Sequence, residues 1–176
     1  MYPYFLNLNK RIITDELANY MLEIANSKLD SFVDYRGQET NTLDGNSYLY
    51  TEEITNNPEI LQLKDSCNLY FFALVMMHRP NVTVVKHIDD PNHRNCLIIT
   101  PLEPKENYAS TRFWEKGNPN PVANCTFPNF NSALVNTQKI HDLENTNTYR
   151  FNLQFCFNEP FEVVSDLYIK GKLFKN

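Results

Sequence analysis

The sequence predicts an α+β, mostly β fold: helical support followed by a sandwich or barrel of short strands. Two observations carry this. The first third holds segments with helical apolar spacing, and from about residue 68 short strand-like runs follow one another between turn residues. A third sets the scale. A chain of 176 residues that is 42% hydrophobic and 13% aromatic is long enough for one domain with a sizeable core, and too apolar for disorder.

Taken in order, Thr14-Asp15-Glu16 can cap a helix whose apolar positions Leu17, Tyr20, Met21 and Ile24 follow helical spacing. Segment 31–50 is polar and turn-rich, with Asp34, Gly37, Asn41, Asp44, Gly45 and Asn46. Pro58 fits the first turn of a second helix through Ile60, Leu61 and Leu63. Strand-like runs then fall at 68–78, 82–89, 95–102, 111–115, 133–137, around 139–142, 148–157 and 161–169, while 116–131, rich in Pro, Asn and Gly, reads as a long surface loop. The expected division is helical support and first strands over 1–67, a β core over 68–158 and a C-terminal strand over 159–176, all in one domain.

Composition narrows function. No apolar run approaches the ~18–20 residues a membrane span needs. With 16 basic and 21 acidic residues the net charge is −5, which disfavours nucleic acid as a partner. Cys67, Cys96, Cys125 and Cys156 form no CxxC pair, so a zinc knuckle is not indicated. The residues Met1-Tyr2-Pro3-Tyr4 lack the basic and apolar regions of a signal peptide, so reduced thiols in a cytoplasmic setting are expected.

Side chains alternate across a strand, so each run splits into two faces. In 148–157 one face is Tyr149, Phe151, Leu153, Phe155 and Phe157, and must pack against something; the other carries Arg150, Asn152 and Gln154. If the Phe face packs on the helices, Arg150 points into the barrel and asks for a carboxylate side chain or an anionic ligand, because an unpaired buried charge costs several kcal/mol. In 82–89, Thr83, Val85, His87 and Asp89 share a face. An imidazole and a carboxylate together are two of the three ligands of a facial iron site. His141 follows 54 residues after His87, and Arg150 nine after that.

This ordered set resembles the Fe(II)/2-oxoglutarate-dependent oxygenase superfamily. The resemblance rests on 79–89 with its His87-Ile88-Asp89, on Arg94-Asn95-Cys96-Leu97-Ile98-Ile99-Thr100-Pro101-Leu102, on Ala133-Leu134-Val135-Asn136, and on His141 and Arg150-Phe151-Asn152. It covers roughly 68–158. It implies a double-stranded β-helix (jelly-roll, cupin-like) with supporting helices, and a dioxygenase using Fe(II), 2-oxoglutarate and O2 as cofactor and cosubstrates. By resemblance His87, Asp89 and His141 bind the iron, and Arg150 pairs with the distal carboxylate of 2-oxoglutarate. Asn152 stands where the family often has a hydroxyl residue. Prolyl hydroxylases usually carry Lys at the position of Arg150, and the aspartyl/asparaginyl hydroxylases often lack the Asp. The Arg94 region is nonetheless similar to that second group and to related phage or bacterial oxygenases. Nucleic-acid demethylases have a second Arg six residues after the first; here that residue is Cys156.

The resemblance implies hydroxylation of a small molecule or peptidyl side chain. Arg94 and Tyr70 are further candidates for contact with the cosubstrate, although an Arg near Pro91 is also suited to a solvated turn. Trp114 is assigned to core packing in preference to a substrate mouth shared with Arg112, and His78 and His93 to exposed turns. Asp89→Ala and His141→Ala are expected to abolish turnover and leave the fold largely intact. The competing readings are a cupin-like metal enzyme without 2-oxoglutarate and a non-catalytic jelly-roll binding or virion-type structural protein.

Overall fold

Thr14 opens the first helix, α1 (Asp15–Ser27), as its place before an amphipathic run predicts. In this computed structural model, which describes residues 4–34, 46–82 and 84–175, the Thr14 hydroxyl accepts a hydrogen bond from the Leu17 N–H at 3.1 Å and donates to Glu59 at 2.7 Å. The cap therefore also ties α1 to a second helix. Thr14→Ala is expected to cost about 1–2 kcal/mol, seen as a lower urea midpoint with unchanged slope. The helix buries Leu17, Ala18, Met21, Ile24 and Ala25, whereas Tyr20, expected on the same stripe, stays exposed.

The strands before the core are β1 (Phe5–Asn7), β2 (Val33–Asp34) and β3 (Asn46–Leu49), followed by α2 (Glu52–Thr55) and α3 (Pro58–Ser66). Then come β4 (Phe71–His78), β5 (Cys96–Glu103), β6 (Thr111–Phe113), β7 (Ala123–Cys125), β8 (Ala133–Val135), β9 (His141–Leu143), β10 (Arg150–Phe157) and α4 (Phe161–Ile169). One antiparallel sheet runs β1-β8-β5-β10-β4-β3-β2 and a smaller one β7-β6-β9.

The alternation of β10 organises two cores. Phe151, Leu153, Phe155 and Phe157 pack with α1 and with residues such as Ile54, Ile60 and Phe161 on the outer side of the large sheet. On the inner side Cys156 joins Leu74, Met76, Leu97, Ile99 and Val135 against Phe113, Cys125 and Phe127 of the small sheet and its flank. Every residue of β10 is buried, so the polar Arg150, Asn152 and Gln154 lie inside the barrel. The β10–β5 register slips between Phe151, opposite Glu103, and Asn152, opposite Pro101. Pro101 has no N–H to give the ladder, and a bulge is where a central strand tolerates it.

Four expectations need correction. The 161–169 run is helix α4 and not a C-terminal strand: Phe161 and Val164 are buried at helical spacing while Val163 and Ile169 are exposed. Among the described residues, 82–89 forms no ladder beyond a single antiparallel bridge between His87 and His141; the reading of Thr83 lies outside them. Segment 116–131 is not wholly surface, because β7 and the turn Pro128–Phe130 interrupt it and Cys125 and Phe127 are buried. Segment 31–50 contains β2 and β3, with 35–45 outside the described residues. The four cysteines are free and buried. No helix among the described residues is long and apolar enough to cross a membrane.

Candidate metal centre

His87, Asp89 and His141 converge inside the barrel, with one donor atom from each lying within 4.8 Å of the others. Backbone pairing brings them there. His87 N–H and His141 N–H each donate to the other's carbonyl at 2.9 Å, and Asp89 N–H donates to Thr137 O at 3.1 Å. His87 and Asp89 thus share a side of an extended segment that β9 holds in place, even though that segment is not a regular strand.

The imidazoles are oriented alike. His87 Nδ1 lies 2.7 Å from Val85 O and His141 Nδ1 lies 2.8 Å from Lys139 O. A carbonyl only accepts, so Nδ1 carries a proton in each ring and Nε2 is the nitrogen turned toward the cavity. Both Nε2 atoms face Asp89 Oδ1, at 3.3 and 3.8 Å. Burial, reinforced by His87, outweighs the attraction of Asp89 and pushes the His141 imidazole down to about 4, so it is neutral at pH 7. Burial pushes the Asp89 carboxyl up, but Arg94 and the two histidines together bring it below the ordinary carboxylate range. Two imidazoles whose Nε2 atoms face inward while their Nδ1 atoms meet carbonyls, together with one ionised carboxylate, fit a divalent first-row metal with positions left open.

The same cavity is lined by Arg94, Thr111, Arg150, Asn152 and Gln154. Arg150 is the largest fully buried side chain, at 1% exposure, and among the described residues none of its three guanidinium nitrogens has a hydrogen-bond partner. Its guanidinium carbon sits 4.4 Å from the Tyr108 ring centroid and 5.8 Å from that of Phe127. Aromatic faces offset part of the cost of burying the charge but supply no acceptor. Asn152 Oδ1 and Thr111 Oγ1 also lack partners. The barrel therefore holds a cation and polar groups set for an anion that the described residues do not provide.

Arg94 is buried and not solvated. Its Nε lies 3.3 Å from Asp89 Oδ2 and its Nη2 donates to Gln154 Oε1 at 2.6 Å. Tyr70 does not reach the cavity: it precedes β4 and is 70% exposed. His78 is fully buried at the end of β4, opposite Arg150, and not in an exposed turn. His93 is exposed, as expected. Asp90 is likewise exposed, unlike its neighbour Asp89. Trp114 lies under Lys86, whose Nζ is 3.2 Å from the ring centroid, and Arg112 pairs bidentately with Asp142 at 2.8 Å, so neither lines the cavity. Sequence reasoning gave Gln154, Thr111, Thr137 and Tyr108 no role. Gln154 had a signal, because it shares the inward face of Arg150; the other three lie outside that strand and had none.

A second cleft of about 620 Å³ opens beside the first and shares Arg94 as a wall. Tyr48, Tyr50, Phe72 and Ile88 line it, with the exposed Asp90 and His93.

No family model matches the sequence, and no curated protein matches it. Solved structures do. A prolyl hydroxylase from Trichoplax adhaerens, in complex with a hypoxia inducible factor oxygen degradation domain peptide fragment, is similar with a TM-score of 0.61 at 15% identity, over 92% of this chain and 86% of that one. A Pseudomonas putida prolyl-4-hydroxylase gives 0.62 at 11% identity, over 88% and 92%. A viral collagen prolyl hydroxylase from Paramecium Bursaria Chlorella virus-1, in a 2OG complex, gives 0.54 at 11%, over 87% and 94%. The chain thus has the double-stranded β-helix fold of these oxygenases, mostly β with supporting helices.

Proposed function

We propose that this chain is an Fe(II)- and 2-oxoglutarate-dependent dioxygenase that hydroxylates a small molecule or a peptidyl side chain. The observation that carries this is Arg150, a buried guanidinium with no hydrogen-bond partner among the described residues, in the same cavity as His87, Asp89 and His141. A metal chelated by the keto acid end of 2-oxoglutarate leaves the molecule's far carboxylate to be paired, and Arg150 with Asn152 offers that pairing. Iron(II), when bound, supplies the activation of O2. In balance, R–H, O2 and 2-oxoglutarate give R–OH, succinate and CO2.

The chain's own groups bind, orient and exclude water. The carbonyls of Val85 and Lys139 keep the Nε2 atoms aimed inward. Tyr108 and Phe127 flank the guanidinium and keep its site dry, which strengthens a charge-assisted pair. The cavity is narrow, and the unbranched Met76 on its wall is a side chain that can adapt to a ligand. The wider cleft, lined by aromatic and apolar side chains, supports approach of a peptide or small molecule from the Arg94 side.

Anaerobic addition of Fe(II) and then 2-oxoglutarate is expected to give a weak visible charge-transfer band, and O2 is expected to convert 2-oxoglutarate to succinate. Metal binding with turnover independent of 2-oxoglutarate would instead identify a cupin-like metal enzyme. Folded protein that takes up no stoichiometric metal would leave the non-catalytic jelly-roll.

A further inference from the structure

Asp89 divides its two oxygens between different neighbours. Oδ1 faces both imidazole Nε2 atoms at 3.3 and 3.8 Å, and Oδ2 faces Arg94 Nε at 3.3 Å. Arg94 is in turn held from two other elements. Its Nη2 donates to Gln154 Oε1 of β10 at 2.6 Å, and its carbonyl accepts from Thr137 Oγ1 and from Gln138 Nε2, the latter at 3.1 Å. Gln138 Nε2 also reaches Asp89 O at 3.3 Å, and Arg94 N–H donates to Asp90 O at 3.0 Å. The turn from Asp89 to Arg94 is therefore clipped to the 136–138 turn that precedes His141, while the Arg94 side chain spans to β10.

We propose that Arg94, braced by Gln154, is the positioning residue of the metal centre: it occupies Oδ2 of Asp89 so that Oδ1 alone is offered alongside His87 and His141. A free carboxylate binds metals through one oxygen or two. A carboxylate bound through two would use a coordination position that a bidentate cosubstrate needs. A fixed guanidinium suits this task, since its Nε faces the carboxylate while its Nη2 is held by the Gln154 amide oxygen. This inference rests on the metal-binding reading above and goes beyond it by assigning the device that sets the ligand mode.

The test uses chelator-treated full chain, Mn(II) titrated calorimetrically, and the visible spectrum of the Co(II)-loaded protein. Wild type is expected to bind one Mn(II). Arg94→Met is expected to weaken Mn(II) binding about 10- to 100-fold and to change the intensity of the Co(II) bands, which report coordination number. Arg94→Lys, which keeps a charge for Oδ2, is expected to recover part of both, and Gln154→Met to show a smaller shift in the same direction. A merely structural role would lower the melting temperature and leave the Co(II) spectrum of the folded protein unchanged. If Arg94→Met does not fold, the graded pair Arg94→Lys and Gln154→Met decides. Affinities within twofold of wild type and an unaltered spectrum in the variants that fold overturn the inference but leave the metal site standing. No stoichiometric Mn(II) or Fe(II) on wild type overturns the metal site itself.

Discussion

Asp89→Ala is expected to abolish metal binding and also to destabilise the metal-free fold by about 3–5 kcal/mol, whereas His141→Ala is expected to abolish binding at a smaller cost. The sequence suggested that both would leave the fold intact. The difference is Arg94, which is buried and draws its ion pair from Asp89. Removing the carboxylate leaves a buried guanidinium without its anionic partner, and the Gln154 amide that Nη2 contacts carries no charge to replace it. No comparable charge depends on His141, whose ring is neutral and bonded to a carbonyl. Asp89→Asn keeps an acceptor near Arg94 and is expected to fall between. Urea midpoints of the chelated proteins and Fe(II) binding of the folded ones separate the two effects. Equal stability of Asp89→Ala and wild type would show that Arg94 needs no partner, and retained Fe(II) affinity in His141→Ala would place the metal elsewhere.

What the sequence made legible was local periodicity. The strict alternation over 149–157 foretold which side of β10 meets the helices and which side carries Arg150 and Asn152; the structure follows it from Arg150 to Phe157, whereas Tyr149, expected on the packed face, precedes the strand and is exposed. The spacing of His87 and Asp89 likewise put both groups on one side, although the segment around them bridges only once. Tertiary pairing was not legible. Nothing at Arg94 announces a partner five residues upstream and another sixty downstream, since a turn residue and a buried clamp share one composition. Tyr108 and Phe127 reach Arg150 from connections whose Pro, Asn and Gly content hides them. His78 and Tyr70 failed for the converse reason: each lies at an end of the β4 run, and only the position of β3 and β10 beside it decides which end is covered. Helix α4 was lost because a short apolar run has no period of its own until a packing surface selects one.

Arg150→Met is expected to move stability and cosubstrate binding in opposite directions. The guanidinium is buried, and among the described residues none of its nitrogens has a hydrogen-bond partner. It bears a desolvation cost that the faces of Tyr108 and Phe127 offset only in part. Methionine has a similar reach, no charge, and apolar neighbours on that wall, so the metal-free variant is expected to be as stable as wild type or more so, by as much as about 4 kcal/mol. Binding of 2-oxoglutarate is expected to weaken about 30-fold or more, the consequence of losing one partner of a buried charge-assisted pair worth at least about 2 kcal/mol. Fe(II) affinity is expected to hold, because Arg150 is separate from the three metal-facing donors. Arg150→Lys is the informative companion. It keeps the charge but presents it as a point on a flexible stem, so partial binding is expected, with the loss of the fork showing as a higher requirement for 2-oxoglutarate at unchanged metal affinity. Thermal melts of the metal-free proteins and anaerobic titration of the charge-transfer band measure both signs in the same samples. A stability loss in Arg150→Met with unimpaired 2-oxoglutarate binding would mean that the guanidinium serves the barrel and not an anion, and would remove the main support for a 2-oxoglutarate enzyme.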